Sequence, residues 1–485
     1  MTEYCKLIIR DEVNIKIEGL PPDIRRKLVD RLKFELPYAR HVPRYKLGRW
    51  DGKTAFFSVS GGGYTQHLAT ILDVLDENDW SIGDVEDYRQ PATYEFDHIG
   101  LDFWSKEGKR WPDGHKFAGE LVQLNPHQVT AVNSYFDNLQ SMQEICTGAG
   151  KTIITSILSK CCEKYGKTII VVPNKSLVVQ TEEDYVNLGL DVGVYFGDRK
   201  EIGRTHTIIT WQSIDALSKA NPDALRTLVD GVVCIMVDEC HSAKGNVLHS
   251  ALVKIFNKCP IRWGMTGTIP KEKVNFHQLL TAIGPIVGEV KAVDLQEVGI
   301  LSTCKINILQ MVDKVFYSSY HDEYKYLTED SERIAAIAEI VKKISQTGNT
   351  LVLIERISTG EQLLDLIPGS LFVSGDVKLK SRKSMYQEVN SGDNQVLVAT
   401  YGTSAVGINI PRLFNLVIIE SGKSFVRVIQ SIGRGVRVAE DKDHIEVYDI
   451  CSDAKFSKKH LTERKRYYSE AKYPYKVTKV EWLQT

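Results

Sequence analysis

The chain has 485 residues, 43% of them apolar, and its length predicts about three domains. Its 61 basic and 62 acidic residues give a formal net charge of -1, so a polyanion must be held by local basic patches. The nine cysteines form no Cys-x-x-Cys pair with companion histidines, which favours reduced thiols over zinc or disulfides. The N-terminus lacks a signal-peptide apolar run, and no stretch approaches the roughly 20 apolar residues of a membrane span. We therefore expect a soluble, cytoplasmic protein with no membrane partner.

Residues 1–118 predict a small α+β domain. A helix is expected from Asp23 to Leu36, where apolar residues recur at helical spacing, followed by a strand and turn region. Between residues 22 and 53 ten Lys and Arg stand against four Asp and Glu, interleaved with aromatic residues. Basic groups neutralise phosphates and aromatic rings stack on bases, so we expect nucleic-acid binding here. The candidates are Arg44, Lys46, Arg49 and Trp50. For Trp50, a place in the core of a hairpin is an equally good interpretation.

Residues 119–450 alternate short β-branched runs, such as KTIIVVP and NLVIIES, with amphipathic stretches. Such runs are typical of buried parallel strands, and the stretches between them of crossover helices. The pattern predicts two successive α/β domains, 119–300 and 301–450, with their junction near residues 298–303.

The segment EICTGAGKT, Glu144 to Thr152, has the glycines and the lysine of a phosphate-binding loop. Glycines let backbone N–H groups approach phosphate oxygens, and the following helix N-terminus favours anions. Lys151 would reach the β- and γ-phosphates, and Thr152 would bind Mg²⁺. The full pattern places glycine where this chain has Ile145, and a structural glycine-rich turn is the alternative. The binding candidates of the loop are Thr147, Gly148, Ala149, Gly150, Lys151 and Thr152.

In VVCIMVDECHSA, Asp238 and Glu239 come directly at the carboxyl end of a predicted buried strand. Ligand sites of open α/β sheets gather at that edge. We expect Asp238 to hold Mg²⁺, mainly through water, and Glu239 to orient and deprotonate the attacking water in phosphoryl transfer. A surface acidic turn is the alternative, but it would not account for His241 together with the basic motif described next.

The motif VIQSIGRGVRV places Gln430, Arg434 and Arg437 at intervals that fall on one helix face. Guanidinium groups delivered from a second domain can stabilise charge on a transferring phosphoryl group, as arginine fingers do. A solvated arginine-bearing helix is the alternative, but two glycines inside the motif disfavour it.

Residues 451–485 predict one charged helix and a short tail. Their basic residues are a secondary candidate for nucleic-acid contact, although a solvated helix face is the commoner explanation. These residues are Lys458, Lys459, Arg464, Lys465 and Arg466.

The ordered segments HQ, TGAGKT, VPNKSL, TWQS, DECH, GMTGT, VSGD, ATYGTSAVGINIP and QSIGRGVR resemble the motif series of superfamily-two helicases. They span about Leu124 to Arg437, most of the chain. The resemblance implies an α/β fold with two tandem RecA-like parallel-sheet domains, a small N-terminal α+β domain and a short C-terminal helical extension.

The resemblance also implies roles for single residues. Gln128 matches the glutamine that reads adenine, and Gly407 lies in the segment that faces the nucleotide. His241, Thr266 and Thr268 match segments that couple hydrolysis to domain movement. The segments that track the nucleic-acid backbone contain Pro173, Thr210, Ser374, Gly375 and Thr400. Asn409 departs from the aspartate typical of the family, so no role is assigned to it.

The DECH box, the compact motif spacing and the N-terminal element RYKLGRWDGK are similar to UvsW-like phage branch-migration helicases, a group related to XPB-like and RecG-like motors. This implies an ATP- and Mg²⁺-dependent DNA helicase acting on forks and four-way junctions in recombination, repair or replication. It would work as a monomer or weak oligomer, in the host cytoplasm if it is a phage protein. Three alternatives stay open: an RNA helicase or remodeller, the motor subunit of a restriction system, and a nucleic-acid-binding scaffold with a decayed ATPase.

Overall fold

The computed structural model describes residues 2–112, 115, 117–377, 379–404, 410–420, 422 and 444–482. The chain divides into two compact units. The first consists of Met1–Ile145 and Gly150–Glu289, and the second of Cys146–Ala149 and Val290–Thr485. The change of unit after Glu289 comes ahead of the junction expected near residues 298–303. None of the described helices combines the length and apolar composition that crossing a bilayer requires.

The first unit opens with a small α+β part. Its strands are β1 (Glu3–Ile9), β2 (Asn14–Glu18), β3 (Lys33–Glu35), β4 (Lys53–Ala55), β5 (Gly62–Tyr64) and β6 (Trp80–Asp87). Its helices are α1 (Pro22–Arg31), α2 (Pro43–Lys46) and α3 (Leu68–Asp76), with 3₁₀ turns at Ala39–His41 and Thr65–His67. One sheet has the order β5-β2-β1-β6, and β3 pairs with β4. The helix expected to reach Leu36 ends at Arg31, because the next residues leave it to form the β3–β4 hairpin.

This N-terminal part shares its core with the rest of the first unit. Val13 packs in the apolar core of the following α/β domain, and Val274 from that domain packs in the N-terminal core. The Phe34 ring stacks on His277 with centroids 3.9 Å apart. The His277 imidazole lies 2.9 Å from that of His67. Burial of apolar surface across this junction joins the two parts into one body.

The described residues between 88 and 124 contact the α/β domain of the first unit. The Phe96 ring stacks on Phe136 with centroids 4.7 Å apart, and the Tyr165 hydroxyl donates a hydrogen bond to the Glu95 carbonyl. A short helix, α4 (Phe103–Lys106), buries Trp104 completely. These contacts anchor the segment that leads into the phosphate-loop domain.

The α/β domain of the first unit is built on an eight-stranded sheet of order β10-β9-β11-β8-β12-β13-β7-β14. Its strands are β7 (Gln140–Ile145), β8 (Lys167–Val172), β9 (Val192–Phe196), β10 (Arg199–Lys200), β11 (His206–Thr210), β12 (Val232–Asp238), β13 (Ile261–Thr266) and β14 (Ile286–Val290). Its helices are α5 (Pro126–Asp137), α6 (Lys151–Cys162), α7 (Lys175–Asn187), α8 (Trp211–Ala220), α9 (Pro222–Val229), α10 (Asn246–Ser250) and α11 (Lys273–Ala282), with a 3₁₀ turn at Cys240–Lys244 and a π-helical turn at Ala251–Ile255.

The strands from β9 to β7 in that order are parallel, so their carboxyl ends lie at one edge of the sheet. The β-branched runs of the sequence form these strands because both faces of a parallel sheet are covered by helices. The loops that carry the predicted motifs leave from this edge.

The second unit contains a seven-stranded sheet of order β17-β18-β16-β19-β20-β15-β21. Its strands are β15 (Thr303–Met311), β16 (Thr350–Ile354), β17 (Leu371–Val373), β18 (Val396–Thr400), β19 (Asn415–Ile419), β20 (His444–Ser452) and β21 (Tyr475–Val480), and all of these pairings are parallel. Its helices are α12 (Ala292–Glu297), α13 (Tyr320–Glu329), α14 (Ser331–Ser345), α15 (Ile357–Leu366), α16 (Leu379–Ser391), α17 (Tyr401–Ser404) and α18 (Lys455–Glu470). The predicted fold class, α/β with parallel sheets in two domains, is confirmed.

The C-terminal extension belongs to the second sheet. The charged helix expected after residue 450 is α18, and the tail that follows adds β21 to the sheet beside β15. Arg464 of α18 is fully buried, with its guanidinium 2.8 and 3.0 Å from the Asp449 carboxylate. The Tyr468 hydroxyl donates to the same carboxylate at 2.8 Å. The interpretation of Arg464 as a secondary nucleic-acid contact is therefore wrong, because its charge is paired inside the protein.

Candidate functional site

The loop between β7 and α6 has the backbone geometry of a phosphate cradle. Gly148 and Gly150 have φ of 88° and 85°, a region that side chains with a Cβ rarely adopt. A Cβ at Gly150 would lie 2.3 Å from Nε2 of Gln128. Helix α6 begins at Lys151, so its first backbone N–H groups face out of the helix and suit an anion.

Lys151 and Glu239 form an ion pair in this loop region. The Lys151 ammonium lies 3.0 Å from Glu239 Oε1, and the two side chains are only 13% and 15% exposed. The same ammonium approaches the Ile145 carbonyl at 3.5 Å. The structure thus brings the predicted phosphate-binding cation beside the predicted catalytic carboxylate.

Asp238 and Glu239 lie at the carboxyl end of β12, and their pKa values are shifted in opposite directions. Burial raises the pKa of Asp238 to about 6, with the Glu239 charge adding to the rise and Lys151 opposing it. Burial also acts to raise the pKa of Glu239, but Lys151 and His241 outweigh it and hold that pKa well below its usual range. Glu239 is therefore ionised at neutral pH, as a general base must be.

Glu239 has φ of 50°, in the left-handed region that non-glycine residues seldom occupy. Its N–H donates to Asp238 Oδ1 at 2.8 Å. Such strained conformations cost about 1–3 kcal/mol and cluster at functional sites. Here the sharp turn after the strand lets both carboxylates project from the sheet edge.

His241 and Thr266 connect the acidic turn to the end of β13. The His241 Nδ1 atom lies 2.8 Å from the Thr266 hydroxyl and 3.3 Å from Glu239 Oε2. The Thr266 hydroxyl also lies 3.4 Å from Glu239 Oε2 and accepts a hydrogen bond from the Thr268 N–H at 3.2 Å. The three predicted coupling residues thus form one network with the carboxylate.

Gln128 lies in the first turn of α5. Its Oε1 accepts a hydrogen bond from the Asn125 N–H at 2.9 Å as part of a capping box, and its side chain is 6% exposed. Its amide also contacts the position a Cβ of Gly150 would occupy. This packing places the predicted adenine-reading residue beside the phosphate loop.

The residues present fit a magnesium ion shared with phosphates. No three His, Cys, Asp or Glu side chains within the described ranges are grouped to hold a metal by themselves. Mg²⁺ at phosphoryl-transfer sites takes one or two protein oxygens and completes its shell with phosphate and water. A half-buried carboxylate at Asp238 and a hydroxyl at Thr152, in the first turn of α6, supply that chemistry.

Two threonines predicted to track a nucleic-acid backbone have the same setting, one in each unit. Thr210 ends β11 and caps α8, with its hydroxyl 2.9 Å from that of Ser213. Thr400 ends β18, and its hydroxyl lies 2.8 Å from that of Thr403 in α17. Both threonines therefore lie where a helix N-terminus leaves the carboxyl edge of a sheet, a position suited to a phosphate.

The other backbone-tracking candidates lie at the same edges. Pro173 follows β8, and its carbonyl accepts from the Gln212 amide at 3.5 Å. Ser374 follows β17 and is buried, whereas the Gly375 carbonyl accepts a hydrogen bond from Arg382 at 2.7 Å.

The N-terminal candidates lie on an exposed lobe formed by α2 and the β3–β4 hairpin. Arg44, Lys46 and Arg49 are exposed. Trp50 is half-buried, and its indole N–H donates to the Lys53 carbonyl at 2.9 Å. The hydrogen bond fits a structural role for Trp50 beside β4, and its contact with nucleic acid stays a prediction. Gly407, Gln430, Arg434 and Arg437 lie outside the described residues.

Two families match the chain in succession. Residues 121–271 match the family described as "Type III restriction enzyme, res subunit", and residues 332–439 match "Helicase conserved C-terminal domain". The second match includes the sequence of Gln430, Arg434 and Arg437. Together with the phosphate loop and the two parallel-sheet domains, these matches define an ATP-dependent nucleic-acid motor. The chain belongs to the superfamily-two helicases, which couple ATP hydrolysis to movement on nucleic acid.

Within that class, the chain is 26% identical over 468 residues to "ATP-dependent DNA helicase uvsW" of Enterobacteria phage T4, covering 91% of this chain and 89% of the relative. The crystal structure of T4 UvsW is 22% identical, covers 99% of this chain and 100% of its own, and gives a TM-score of 0.48. S. cerevisiae Dbp5 bound to RNA and ADP BeF3 is 15% identical, covers 74% of this chain and 90% of its own, and gives a TM-score of 0.55, which shows a shared fold.

The sequence did not reveal the capping-box role of Asn125 or the left-handed backbone of Glu239. The first had a signal in the spacing of Asn125 and Gln128. The second had none, because the conformation depends on the packing of the whole turn.

Proposed function

We propose that this helicase acts on branched DNA and drives branch migration, fork regression or junction unwinding in recombination, repair or replication. The observation that carries the proposal is the likeness to the phage T4 DNA helicase over 91% of the chain, which includes the N-terminal part. A likeness limited to the motor domains would have left DNA and RNA motors equally favoured.

In the proposed ATP site, phosphate oxygens displace Glu239 from the Lys151 ammonium, now 3.0 Å away. The released Glu239 carboxylate accepts a proton from the water that attacks the γ-phosphorus, and ADP leaves as its bond to that phosphorus breaks. Thr152 and Asp238 would hold Mg²⁺. A metal held there would supply positive charge against the phosphate oxygens. Gln128 reads adenine, and Thr147, Gly148, Ala149 and Gly150 contact phosphates through their backbone. By the family resemblance, Gln430, Arg434 and Arg437 would stabilise the charge that develops on the γ-phosphate, and Gly407 would belong to the segment that faces the nucleotide.

Coupling follows from the network beyond the carboxylate. A change at Glu239 alters its contacts with His241 and Thr266, both within 3.4 Å. Thr266 ends β13, and its hydroxyl accepts a hydrogen bond from the Thr268 N–H. A movement of Glu239 would therefore shift the loop that follows β13. Each unit would then bind and release the nucleic-acid backbone in turn. The contacts would be made by Pro173 and Thr210 in one unit, and by Ser374, Gly375 and Thr400 in the other.

Substrate choice is assigned to the N-terminal lobe. Arg44, Lys46 and Arg49 present three exposed cations beside the half-buried ring of Trp50. Cations bind phosphates without reading sequence, and an aromatic face can stack on a splayed base at a junction.

We infer from the nine free cysteines that the protein works in a reducing cytoplasm.

The test is steady-state ATP hydrolysis with no nucleic acid, single strands, duplex, forks, four-way junctions and matching RNA, all at one salt concentration. We expect forks and junctions to stimulate turnover most. Replacing Arg44, Lys46 and Arg49 by alanine should remove that preference and leave stimulation by single strands. The control replaces Arg226, Lys254 and Lys258, three exposed cations elsewhere in the first unit, and should keep the preference.

Equal or better stimulation by RNA would overturn the branched-DNA assignment in favour of an RNA motor. Stimulation that is the same for all DNA forms would indicate a plain translocase such as a restriction motor. A chain without any turnover would indicate a scaffold.

A further inference from the structure

We propose that the second unit binds a single nucleic-acid strand on a surface separate from the helicase motifs, which we call the aromatic–lysine surface. Its residues are Lys314, Phe316, Tyr320, Lys455, Phe456, Lys458 and Lys459. The inference rests on the nucleic-acid role proposed above and adds a contact that none of the helicase motifs contains.

Two neighbouring strands build this surface. The loop after β15 carries Lys314 and Phe316, and the chain after β20 turns into α18, which carries the three lysines 455, 458 and 459. β15 and β20 are adjacent and parallel, so both segments leave the sheet at the same edge. The Asp313 N–H donates to Asp453 Oδ1 at 3.0 Å and fixes the loop against the start of α18.

A buried charge cluster makes the base of the loop rigid. Arg333 is fully buried, with its Nε 3.0 Å from Asp313 and one Nη 2.8 Å from Glu420. The Ser457 hydroxyl of α18 donates to the second Glu420 oxygen at 2.8 Å. Loop and helix are therefore held in fixed positions, so their exposed side chains form one persistent surface.

The aromatic rings of this surface are unusually open. Phe316 is 77% exposed and Tyr320 is 44% exposed. The Phe456 ring stands edge-on to Tyr320, with centroids 5.9 Å apart. The Lys455 ammonium lies 5.7 Å from the Phe316 centroid and 5.2 Å from that of Phe456. Exposed rings bracketed by a cation present the faces on which nucleobases stack.

The lysines give the surface a net positive charge. Lys455, Lys458 and Lys459 are spaced to lie on one face of α18, and all are exposed. Within the part of the chain that the structure describes, no carboxylate pairs with any of the three. The end of the helix is already satisfied, because Glu323 accepts hydrogen bonds from the Phe456 and Ser457 N–H groups. Recognition of an anion would therefore come from the side chains.

A single strand fits this surface better than a duplex or a protein. Rings can stack only on bases that are unpaired and splayed out. Lysine is depleted in protein interfaces, whereas here Lys455 lies near two of the rings and two more exposed lysines follow on the same helix face. The surface also lies on the sheet edge that carries Thr400, three strand positions away along β18-β16-β19-β20. At about 4.8 Å per strand this is roughly 15 Å, within reach of one continuous strand.

The experiment measures binding of a labelled oligothymidylate to the full chain by fluorescence anisotropy, over a series of salt concentrations. The variants are Phe316→Ala and the triple replacement of Lys455, Lys458 and Lys459 by alanine. The control replaces Lys305, Lys342 and Lys343, which lie toward the amino edge of the same sheet, by alanine. It removes the same charge, so a general loss of positive field would affect both triples equally.

We expect Phe316→Ala to weaken strand binding by about tenfold and Phe316→Trp to retain it, since stacking needs only a ring. The surface triple should make the slope of log affinity against log salt shallower by about 2, as loss of three phosphate contacts requires. ATP turnover without nucleic acid should be unchanged in every variant, which verifies the fold.

Wild-type strand affinity in both surface variants, or the same loss in the control triple, would overturn the proposal and leave the exposed rings to a protein contact. The binding assay needs neither a branched substrate nor hydrolysis. A failure of the branched-DNA proposal would therefore show in the turnover assay alone, and a failure of this inference in the anisotropy alone.

Discussion

The substitution Glu239→Gln tests the chemistry of the site most directly. The carboxylate is 15% exposed and lies within 3.4 Å of Lys151, His241 and Thr266. Glutamine keeps the volume and can still accept hydrogen bonds, but it cannot take a proton from water. Removing a general base costs about 10²–10⁴ in rate, so we expect kcat to fall about 10³-fold, equivalent to about 4 kcal/mol of activation free energy.

Binding of ATP should respond differently. In the wild type the Glu239 carboxylate competes with phosphate for the Lys151 ammonium at 3.0 Å. The neutral amide competes less, so nucleotide affinity should be equal to or tighter than that of the wild type. Lys151→Ala is the matched control, because it should lose both nucleotide affinity and turnover.

The assay is coupled steady-state hydrolysis with saturating DNA, together with equilibrium titration of a fluorescent ATP analogue. A Glu239→Gln protein that keeps more than about a tenth of the wild-type kcat would refute the assignment, since a general base contributes at least about 100-fold. Lost nucleotide affinity with unchanged kcat would refute the competition between Glu239 and phosphate.

Two further predictions concern stability. Arg464→Met leaves the buried Asp449 carboxylate without its cation and should lower the free energy of unfolding by about 3–5 kcal/mol, measured by urea titration. The control Arg466→Met removes an exposed ion pair and should change that free energy by less than about 1 kcal/mol. Equal effects of the two substitutions would contradict the stabilising role of the buried ion pair. His67 and His249 are held neutral by burial, which lowers the pKa of each from 6.5 to about 4, so the unfolded chain takes up protons first as pH falls and stability decreases between about pH 7 and pH 4. From pH 7.5 to 5.5 the loss should be about 1.4 kcal/mol for each histidine, and His67→Gln should remove its share; a variant as acid-sensitive as the wild type would contradict this origin.

The sequence predicted the fold, and the position of the candidate residues within it, wherever a local pattern determines the structure. The glycines at 148 and 150 predicted a phosphate-binding loop, and both have the positive φ that glycine adopts most readily. The apolar run ending in Asp238 and Glu239 announced a buried strand with its polar residues at the sheet edge, and β12 ends there. In both cases the residue types leave few conformations available.

Prediction failed where a contact joins distant parts of the chain. The charged face of α18 gave no sign that Asp449 would lie opposite Arg464. Val13 of the N-terminal part packs in the core of the α/β domain, and Val274 of that domain packs in the N-terminal core. Local sequence patterns treat these two parts as separate. The tail became a strand because β15 offered it an edge, and the alternating YKVTKV is too short to show this by itself.

The shared core around Phe34, His67 and His277 determines how this protein can be cut. A chain shortened to begin after residue 88 would uncover the apolar seat of Val13 and the ring face of His277. Apolar surface that is buried in the intact protein would then be exposed to water, so the shortened protein should aggregate. Its behaviour would not show what the N-terminal part does. The N-terminal part is therefore inseparable from the α/β domain of the first unit. Point substitutions of its exposed residues, not its removal, are the practical way to test whether it binds DNA.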